Sequence, residues 1–373
     1  MAKNIFIFSL VNIRYPFKNI LASAVLVGIL GVLFLGIGVV IFGRSGGKKL
    51  AERLGVPRPA IIAHRGASYL APEETAPAYM LASEMGVDYL ELDLQRTKDG
   101  VLIAIHDDDL RRTTNIAEVF PNREMDTVDK FTFGELQSLD AGSWFNIRFQ
   151  DRARASFKNV RILRLEDVMK IAEGGFHKPG LYIETKSPRR FPGIEKQLVE
   201  ILTAHGWITP HARVSESPST ERLRARVIFQ SFEPNSLALL KELAPQVPAV
   251  LLIDETMMKK DGWYALLTRA EQLGVGVGTW GYQWSQDPGW SIEDAPNRYV
   301  TTWPWYTGQA HRAGLLVHPW AIDDRWEMWM VSFFGADGVF TNRPELALLF
   351  YGRADHMDLK PMDLKPMWER IGY

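Results

Sequence analysis

Two carboxylates in this sequence are spaced so that they point the same way. Glu91 and Asp93 lie two residues apart in the apolar run YLELDL, and side chains two apart on a β-strand share one face. Carboxylates held together in a protein interior repel each other unless a cation or a proton intervenes. Glu184, at the end of a later run, adds a third oxygen ligand. Three hard ligands predict Mg2+ or Ca2+; the alternative is a buried salt bridge between Glu91 and Lys186.

Two histidines end apolar runs in the same manner. His64 and His106 have the side chain whose pKa lies closest to working pH, so they are candidates for general base and general acid, in an order that the sequence leaves open. Arg65 offers a planar fork for phosphate oxygens and Lys186 a point charge. A lone histidine beside an apolar run is more often a core residue, but here polar groups recur at one end of successive runs. They predict a site for an anionic ester.

Short apolar runs alternate with amphipathic stretches after residue 58. Such runs are typical of strands buried on both faces, and their alternation with helical patterns indicates a parallel sheet. We predict an α/β fold, a (β/α)8 TIM barrel with the polar residues at its C-terminal mouth. An open doubly wound sheet is the alternative, although no Gly-rich phosphate loop follows the first run. Nine runs compete for the eight strand positions of the barrel, and GVGVGTW is the weakest candidate. The nine runs are AIIAH, YLELDL, VLIAIH, LYIETK, RVIFQS, AVLLID, GVGVGTW, LLVHPW and GVFTN.

The N-terminal part of the chain contains an uncharged apolar segment at residues 20–42. A helix of this length spans roughly 34 Å, enough for a hydrocarbon core of about 30 Å. A cleaved signal peptide would have a shorter apolar core and a small-residue cleavage site. We predict one transmembrane helix at 20–42, between an N-terminal segment at 1–19 and a linker at 43–58. Basic residues on both sides leave the membrane orientation open.

The remaining chain is predicted to form one barrel domain at residues 59–352, followed by a solvated C-terminal tail at 353–373 that repeats MDLKP. A charged and aromatic stretch at 107–180 is predicted as an insertion, or lid, after the third strand. The chain has no cysteine, which excludes disulfides, thiolate ligands and a cysteine nucleophile. A formal net charge of −1 gives no reason to expect a nucleic-acid partner. Nothing in the sequence specifies an oligomeric state.

Several short motifs occur in an order and spacing similar to the glycerophosphodiester phosphodiesterase family. The resemblance covers roughly residues 60–350. The motifs are HRG (64–66), PEET (72–75), ELD (91–93), TKDG (97–100), HD (106–107), LDAGSWF (139–145), ETK (184–186), FQSFEPNSL (229–237), VHPWAIDD (317–324) and GADGVFTNRPE (335–345).

This resemblance implies a barrel enzyme that hydrolyses glycerophosphodiesters to sn-glycerol 3-phosphate and an alcohol. It implies an acid–base pair of His64 and His106, and a divalent cation, Mg2+ or Ca2+. The matching positions assign Glu91, Asp93 and Glu184 to the metal, Arg65 and Lys186 to phosphate, and Glu73, Gln230 and Trp320 to a possible substrate pocket. Family analogy favours an extracytoplasmic catalytic domain.

Three positions depart from the family pattern. Glu74 stands where the family usually has Asn, Asp323 replaces another Asn near the site, and Arg164 replaces a Thr. None removes a catalytic candidate, but all could change which head group fits.

Two other functions are open on the sequence. One is lysophospholipase D action on lysolipids at the membrane, with Trp303, Trp305, Trp326 and Trp329 as an apolar rim, although the same tryptophans could simply pack the barrel helices. The other is an inactive, membrane-tethered barrel that binds phosphodiesters or a protein. Loss of a histidine or a ligand would favour that reading, and none is lost.

Overall fold

The computed structural model describes residues 46–209, 225–274, 276–279, 302–353 and 364–373. The predicted transmembrane segment at 20–42 and the segment before it lie outside these residues. Within the described ranges no helix has both the length and the apolar character needed to cross a membrane.

The described residues contain one sheet of nine strands: β1 (Ala60–Ala63), β2 (Tyr89–Arg96), β3 (Leu102–Ala104), β4 (Gly180–Thr185), β5 (Val227–Ser231), β6 (Ala249–Ile253), β7 (Gly276–Thr279), β8 (Leu316–Val317) and β9 (Gly338–Thr341). All except β3 pair in parallel, in the order β8-β7-β6-β5-β4-β2-β1-β9. Backbone hydrogen bonds from Asp337 N to Val317 O (2.8 Å) and from Phe340 N to Pro319 O (3.0 Å) join the two ends. The predicted (β/α)8 barrel is confirmed.

Two strands differ from the prediction. The run GVGVGTW, the weakest candidate, contains the barrel strand β7. The run VLIAIH instead forms β3, which pairs antiparallel with β2 and lies outside the barrel order. The insertion therefore follows a β2–β3 hairpin rather than a third barrel strand, and Glu184 lies on the third barrel strand, β4.

Helices connect the barrel strands on the outside: Ala76–Met85, Leu165–Gly174, Ile194–Ala204, Pro234–Leu243, Glu255–Asp261, Trp263–Leu273, Pro304–Arg312, Arg325–Phe333 and Pro344–Phe350. The helix Leu165–Gly174 is the crossover between the hairpin and β4, so the last part of the predicted insertion belongs to the barrel itself. The rest of the insertion contains the short helices Ile116–Val119, Phe133–Leu136 and Ser143–Arg148 and a small core of its own.

Successive strand residues face two different cores, which is why the strands read as continuous apolar runs. One set, including Ile61, Leu90 and Ile183, packs against the surrounding helices. The alternate set, including Ile62 and Tyr182, fills the inside of the barrel. Because Glu91 and Asp93 alternate with Leu90 and Leu92, they belong to the inward set.

A helix at residues 46–54 closes the N-terminal end of the barrel. Its residues Leu50 and Ala51 join the inner core, together with Val56. A β-carbon on Gly47 would lie 2.0 Å from Asp337 Oδ1, so only glycine fits against the start of β9. The segment predicted as a linker thus contains the plug of the barrel, at the end opposite to the strand C-termini.

The segment predicted as a solvated tail contains a helix, Lys365–Ile371. Its Trp368 is buried, with its ring centroid 5.6 Å from that of Phe157 in the insertion and the Arg154 guanidinium 4.2 Å from its centroid. The end of the chain therefore packs on the insertion.

Candidate active site

The C-terminal ends of the strands bring the predicted polar residues to one mouth. His64 and Arg65 directly follow β1, Glu91 and Asp93 lie on β2, and Glu184 lies on β4. Lys186 follows β4, and Gln230 and Asn342 lie at the corresponding ends of β5 and β9. His106 follows β3, but the amide of Ile105 donates to the carbonyl of Asp93 (2.9 Å), which holds the histidine beside β2. Parallel strands therefore gather residues that are distant in the chain.

Four buried carboxylates surround two cationic side chains at this mouth. Lys186 Nζ lies 3.4 Å from Asp93 Oδ1 and 3.1 Å from Glu184 Oε1. Arg65 Nε lies 3.2 Å from Asp93 Oδ2. The fourth carboxylate is Glu74, which the sequence analysis did not assign to the metal: Glu74, Glu91 and Asp93 each have an oxygen within 4.8 Å of the others. The predicted ligands Glu91, Asp93 and Glu184 also lie near one another, because the charge of Asp93 raises the pKa of both Glu91 and Glu184.

Crowding of like charges perturbs the titration of these groups. Burial and the neighbouring Asp93 raise the pKa of Glu74 and of Glu91 well above the ordinary glutamate value. Burial also raises the pKa of Glu184, to about 8, although Lys186 opposes the shift. Asp93 behaves differently: burial opposes its ionisation, but Lys186, His106 and Arg65 hold the pKa of Asp93 well below its usual range. If all four carboxylates are ionised, they exceed the two cations by two charges, as suits a divalent ion.

Two buried oxygens offer a direct test of whether a cation fits. Gln230 Oε1 has no hydrogen-bond partner within the described part of the chain, and Asp93 Oδ2 has only the ion-pair contact to Arg65 Nε at 3.2 Å, which lacks hydrogen-bond geometry. Buried oxygens of this kind are costly unless a hydrogen bond or an ion satisfies them. Gln230 Nε2 donates to Glu91 Oε1 (2.9 Å), and the backbone amide of Arg65 donates to Glu91 Oε2 (2.8 Å). These bonds orient the Glu91 carboxylate, and the all-oxygen donor set fits Mg2+ or Ca2+.

His64 is held through its Nδ1 atom. Asn342 Oδ1 lies 2.8 Å from His64 Nδ1, and Asn342 Nδ2 donates to Asp323 Oδ2 (2.6 Å). Because the amide nitrogen is engaged by Asp323, the amide oxygen faces the imidazole, so Nδ1 carries the proton and Nε2 keeps its lone pair. Burial, together with the adjacent Arg65, lowers the pKa of His64 to about 3. The imidazole is therefore neutral at working pH.

His106 is held differently, by a carboxylate. Its Nδ1 lies 2.6 Å from Asp107 Oδ1, and Arg112 Nε donates to Asp107 Oδ2 (2.5 Å). Gln95 Nε2 donates to the carbonyls of Ile105, His106 and Asp107 (3.0, 3.2 and 2.8 Å), which fixes the loop. The Asp107 carboxylate therefore orients the His106 imidazole through Nδ1.

Arg112, from the insertion, connects Glu73 to Asp107, the carboxylate that holds His106. It donates to both oxygens of Glu73 at 2.7 Å and also contacts Asp107. Arg65 Nη1 donates to Glu73 Oε1 at 2.9 Å. Glu73, predicted to line the substrate pocket, is thus paired with two guanidinium groups. Trp320, the other predicted pocket residue, donates from Nε1 to Gly278 O (3.2 Å) and meets the Phe232 ring edge-on at 5.7 Å.

Backbone conformation marks the same region. Arg65 (φ 58°), Glu74 (φ 59°) and Ser187 (φ 43°) adopt positive φ, which is unfavourable for residues with a side chain. Such strain concentrates at functional sites, where the surrounding structure imposes it. Here it directs the amide of Arg65 towards Glu91 and the Glu74 side chain towards Asp93 N, at 3.0 Å.

Sequence reasoning named Glu74 only as a departure from the family pattern, and it missed Asn342, Asp107 and Arg112 as parts of the site. The PEET and TNRPE motifs contain two of them, and Asp107 directly follows His106. Their positions relative to the imidazoles depend on loop conformations, for which strand periodicity gives no signal.

A parallel (β/α)8 barrel with carboxylates, imidazoles and cationic side chains at its mouth is the arrangement expected of a hydrolase of anionic esters. The model of the glycerophosphoryl diester phosphodiesterase family matches residues 64–346, and the chain belongs to this family. The predicted enzyme class, a glycerophosphodiester phosphodiesterase, is thereby confirmed.

Known proteins agree with this assignment. The chain is 34% identical over 285 residues to a glycerophosphodiester phosphodiesterase of Bacillus subtilis, covering 76% of this chain and 84% of the relative. It is 31% identical over 286 residues to one of Caldanaerobacter subterraneus, covering 76% and 94%. The fold is similar to a phosphodiesterase of Oleispira antarctica solved with the product sn-glycerol-3-phosphate, with a TM-score of 0.55 at 22% identity over 79% of this chain and 97% of the other.

Proposed function

We propose that this enzyme hydrolyses glycerophosphodiesters to sn-glycerol 3-phosphate and an alcohol, using a divalent cation and two histidines. The observation that carries the proposal is the convergence of four buried carboxylates, two imidazoles and two cationic side chains at one barrel mouth. The named activity of the relatives and the product bound to the Oleispira enzyme support the choice of substrate.

Glu91, Asp93 and Glu184 would hold the cation, with Glu74 as an additional oxygen ligand beside them. When bound, Mg2+ or Ca2+ supplies electrostatic stabilisation of the charge that develops on the phosphate oxygens. Arg65 and Lys186 lie against Asp93, beside the proposed cation site. They would bind the phosphate oxygens that the cation does not contact.

We assign His64 as the general base and His106 as the general acid. His64 is neutral because burial lowers its pKa to about 3, and its Nε2 lone pair is available because Asn342 occupies Nδ1. It accepts a proton from the attacking water, or from a hydroxyl of the substrate if a cyclic phosphate forms first. His106, whose Nδ1 faces the Asp107 carboxylate, donates a proton to the departing alcohol oxygen.

A water-soluble diester fits better than a lysolipid because of where the chain enters the barrel. Residues 46–56 close the end opposite to the catalytic mouth. If residues 20–42 span the bilayer, as we propose, the four residues to position 46 reach at most about 14 Å. The anchor then joins the barrel at its plugged end, so the anchor itself does not bring a lipid chain to the mouth. We further propose an extracytoplasmic catalytic domain, on family analogy.

The test is product analysis with the full-length chain on glycerophosphocholine, glycerophosphoethanolamine and lysophosphatidylcholine. We expect sn-glycerol 3-phosphate from the first two, and a loss of about 10²-fold or more in His64→Ala and in His106→Ala. The exposed His205→Ala serves as the matched control and should retain the wild-type rate.

Each alternative predicts a different result. Turnover of the lysolipid alone would support lysophospholipase D activity. Wild-type turnover in both site variants would refute the histidine assignment, and no turnover of any diester by the wild-type chain would favour a binding barrel.

A further inference from the structure

Large aromatic side chains are concentrated on one flank of the barrel. Of the twelve large apolar side chains that are exposed among the described residues, six lie on or at the start of three helices, Trp263–Leu273, Pro304–Arg312 and Arg325–Phe333. We call them the aromatic flank: Tyr264, Trp303, Trp305, Trp326, Trp329 and Phe333. Their exposure differs from the expectation that the tryptophans pack the barrel helices, since Trp305 is 61% exposed and Trp326 56%.

The aromatic flank is ordered by contacts between its own rings. Trp326 and Trp329 stack with centroids 4.9 Å apart, and Trp329 stacks on Phe333 at 5.3 Å. Trp303 stacks on Phe334 at 5.5 Å. Phe334 in turn meets Phe333 at 5.8 Å, so the rings from Trp326 to Trp303 form one continuous aromatic surface, and such surfaces mark interaction sites.

The helix at residues 46–54 contacts one of these three helices. A β-carbon on Gly46 would lie 3.1 Å from His311 Cβ, and one on Gly47 would lie 2.6 Å from His311 Nε2. His311 belongs to the helix Pro304–Arg312, the middle one of the three. The uncharged stretch at 20–42 ends four residues before Gly46, and four residues span at most about 14 Å.

We propose that the aromatic flank lies in the interfacial region of a lipid bilayer that contains anionic lipids. Trp and Tyr combine an apolar ring with a polar edge and are enriched at that depth, which distinguishes this surface from an aliphatic protein interface. Arg312 and Arg325 are exposed on the same helices and complement anionic headgroups. An anchor alone leaves the barrel free to tilt, whereas contact along the flank fixes its orientation on the membrane.

The absence of cysteine allows a direct test on the full-length chain. Spin labels are attached to Trp329→Cys, to Trp305→Cys and, as a control, to Ile147→Cys, which is 77% exposed on the insertion. Each protein is reconstituted into phosphatidylcholine–phosphatidylglycerol vesicles, and collisions with oxygen and with a water-soluble nickel chelate are compared. We expect a several-fold higher oxygen-to-nickel ratio at positions 329 and 305 than at 147, with diester hydrolysis unchanged.

Equal ratios at all three positions in protein that floats with the vesicles would overturn the proposal while leaving the anchor intact. Absence of flotation would overturn both. Dipolar broadening at position 329 that disappears on dilution with unlabelled chain would assign the surface to a second copy instead. Hydrolysis is measured separately, so none of these outcomes is confused with failure of the catalytic assignment.

Discussion

Asn342 accepts a hydrogen bond from His64 at 2.8 Å, across 278 positions of sequence. The orientation of this amide is set by Asp323, which accepts bonds from Asn342 N (2.7 Å), Asn342 Nδ2 (2.6 Å) and Thr341 Oγ1 (3.1 Å). The carboxylate thus positions the imidazole indirectly, through the amide. Resemblance to the family places Asn at position 323, so the carboxylate is a feature of this chain.

Asp323→Ala should lower kcat by about tenfold or more with little change in KM. The substitution removes the acceptor of the Asn342 amide, which can then rotate and present nitrogen to His64. Steady-state kinetics on glycerophosphocholine provide the measurement, with far-UV circular dichroism to verify the fold.

The same substitution made in the His64→Ala background provides the control. Groups that act as one unit lose their effect once the central member is gone, so Asp323→Ala should cause little further loss there. Equal losses in both backgrounds would mean that Asp323 acts on the fold and not on the imidazole.

Glu74→Gln should weaken cation binding by about tenfold or more, because it removes one carboxylate from the group formed with Glu91 and Asp93. The measurement is the Mg2+ concentration that restores half-maximal activity to protein from which metal has been removed with a chelator. Tyr79→Phe is the matched control, since it removes only the hydroxyl that donates to Glu74. An unchanged half-maximal concentration in Glu74→Gln would exclude Glu74 from the cation site.

Arg112→Met should destabilise the protein near neutral pH by about 1–3 kcal/mol, because Glu73 loses a bidentate partner. Burial opposes ionisation of Glu73, but Arg65 and Arg112 lower the pKa of Glu73 from 4.5 to about 2. As the pH falls, Glu73 is therefore protonated in the unfolded chain before it is protonated in the folded protein. The stability that the ionised Glu73 contributes is complete above about pH 5 and is lost as the pH falls towards 2.

Urea unfolding at pH 7 and at pH 3 tests the sign of this effect. The difference between wild type and Arg112→Met should be larger at pH 7. Arg111→Met removes an exposed pair with Asp109 and should leave the free energy of unfolding nearly unchanged at both pH values. A difference that grows on acidification would contradict the pairing of Glu73.

Most of the barrel could be predicted because its strands are buried on both faces. β7 gave a weak signal since its inward positions must be small: a β-carbon on Gly278 would lie 2.5 Å from Leu252 Cδ2. β3 was assigned wrongly to the barrel, yet only five residues, TKDGV at 97–101, separate it from β2. Such a connection is too short for a helical crossover and long enough for a hairpin, so the spacing itself predicts an antiparallel β2–β3 pair.

Some residues of the site could likewise be predicted from the sequence, and others could not. Glu91 and Asp93 could be predicted to share a face because strand periodicity dictates it. The residues that hold the imidazoles, Asn342 and Asp107, lie in loops whose conformation decides which side chain reaches Nδ1. No pattern in the sequence encodes that choice.

Chelation tests the cation assignment most directly. The full-length enzyme is treated with EDTA, freed of chelator and assayed for release of sn-glycerol 3-phosphate from glycerophosphocholine, before and after Mg2+ or Ca2+ is added. Because four buried carboxylates crowd the mouth, we predict a loss of about 10²-fold or more that either ion reverses. Full activity of protein that elemental analysis finds free of metal would contradict the account.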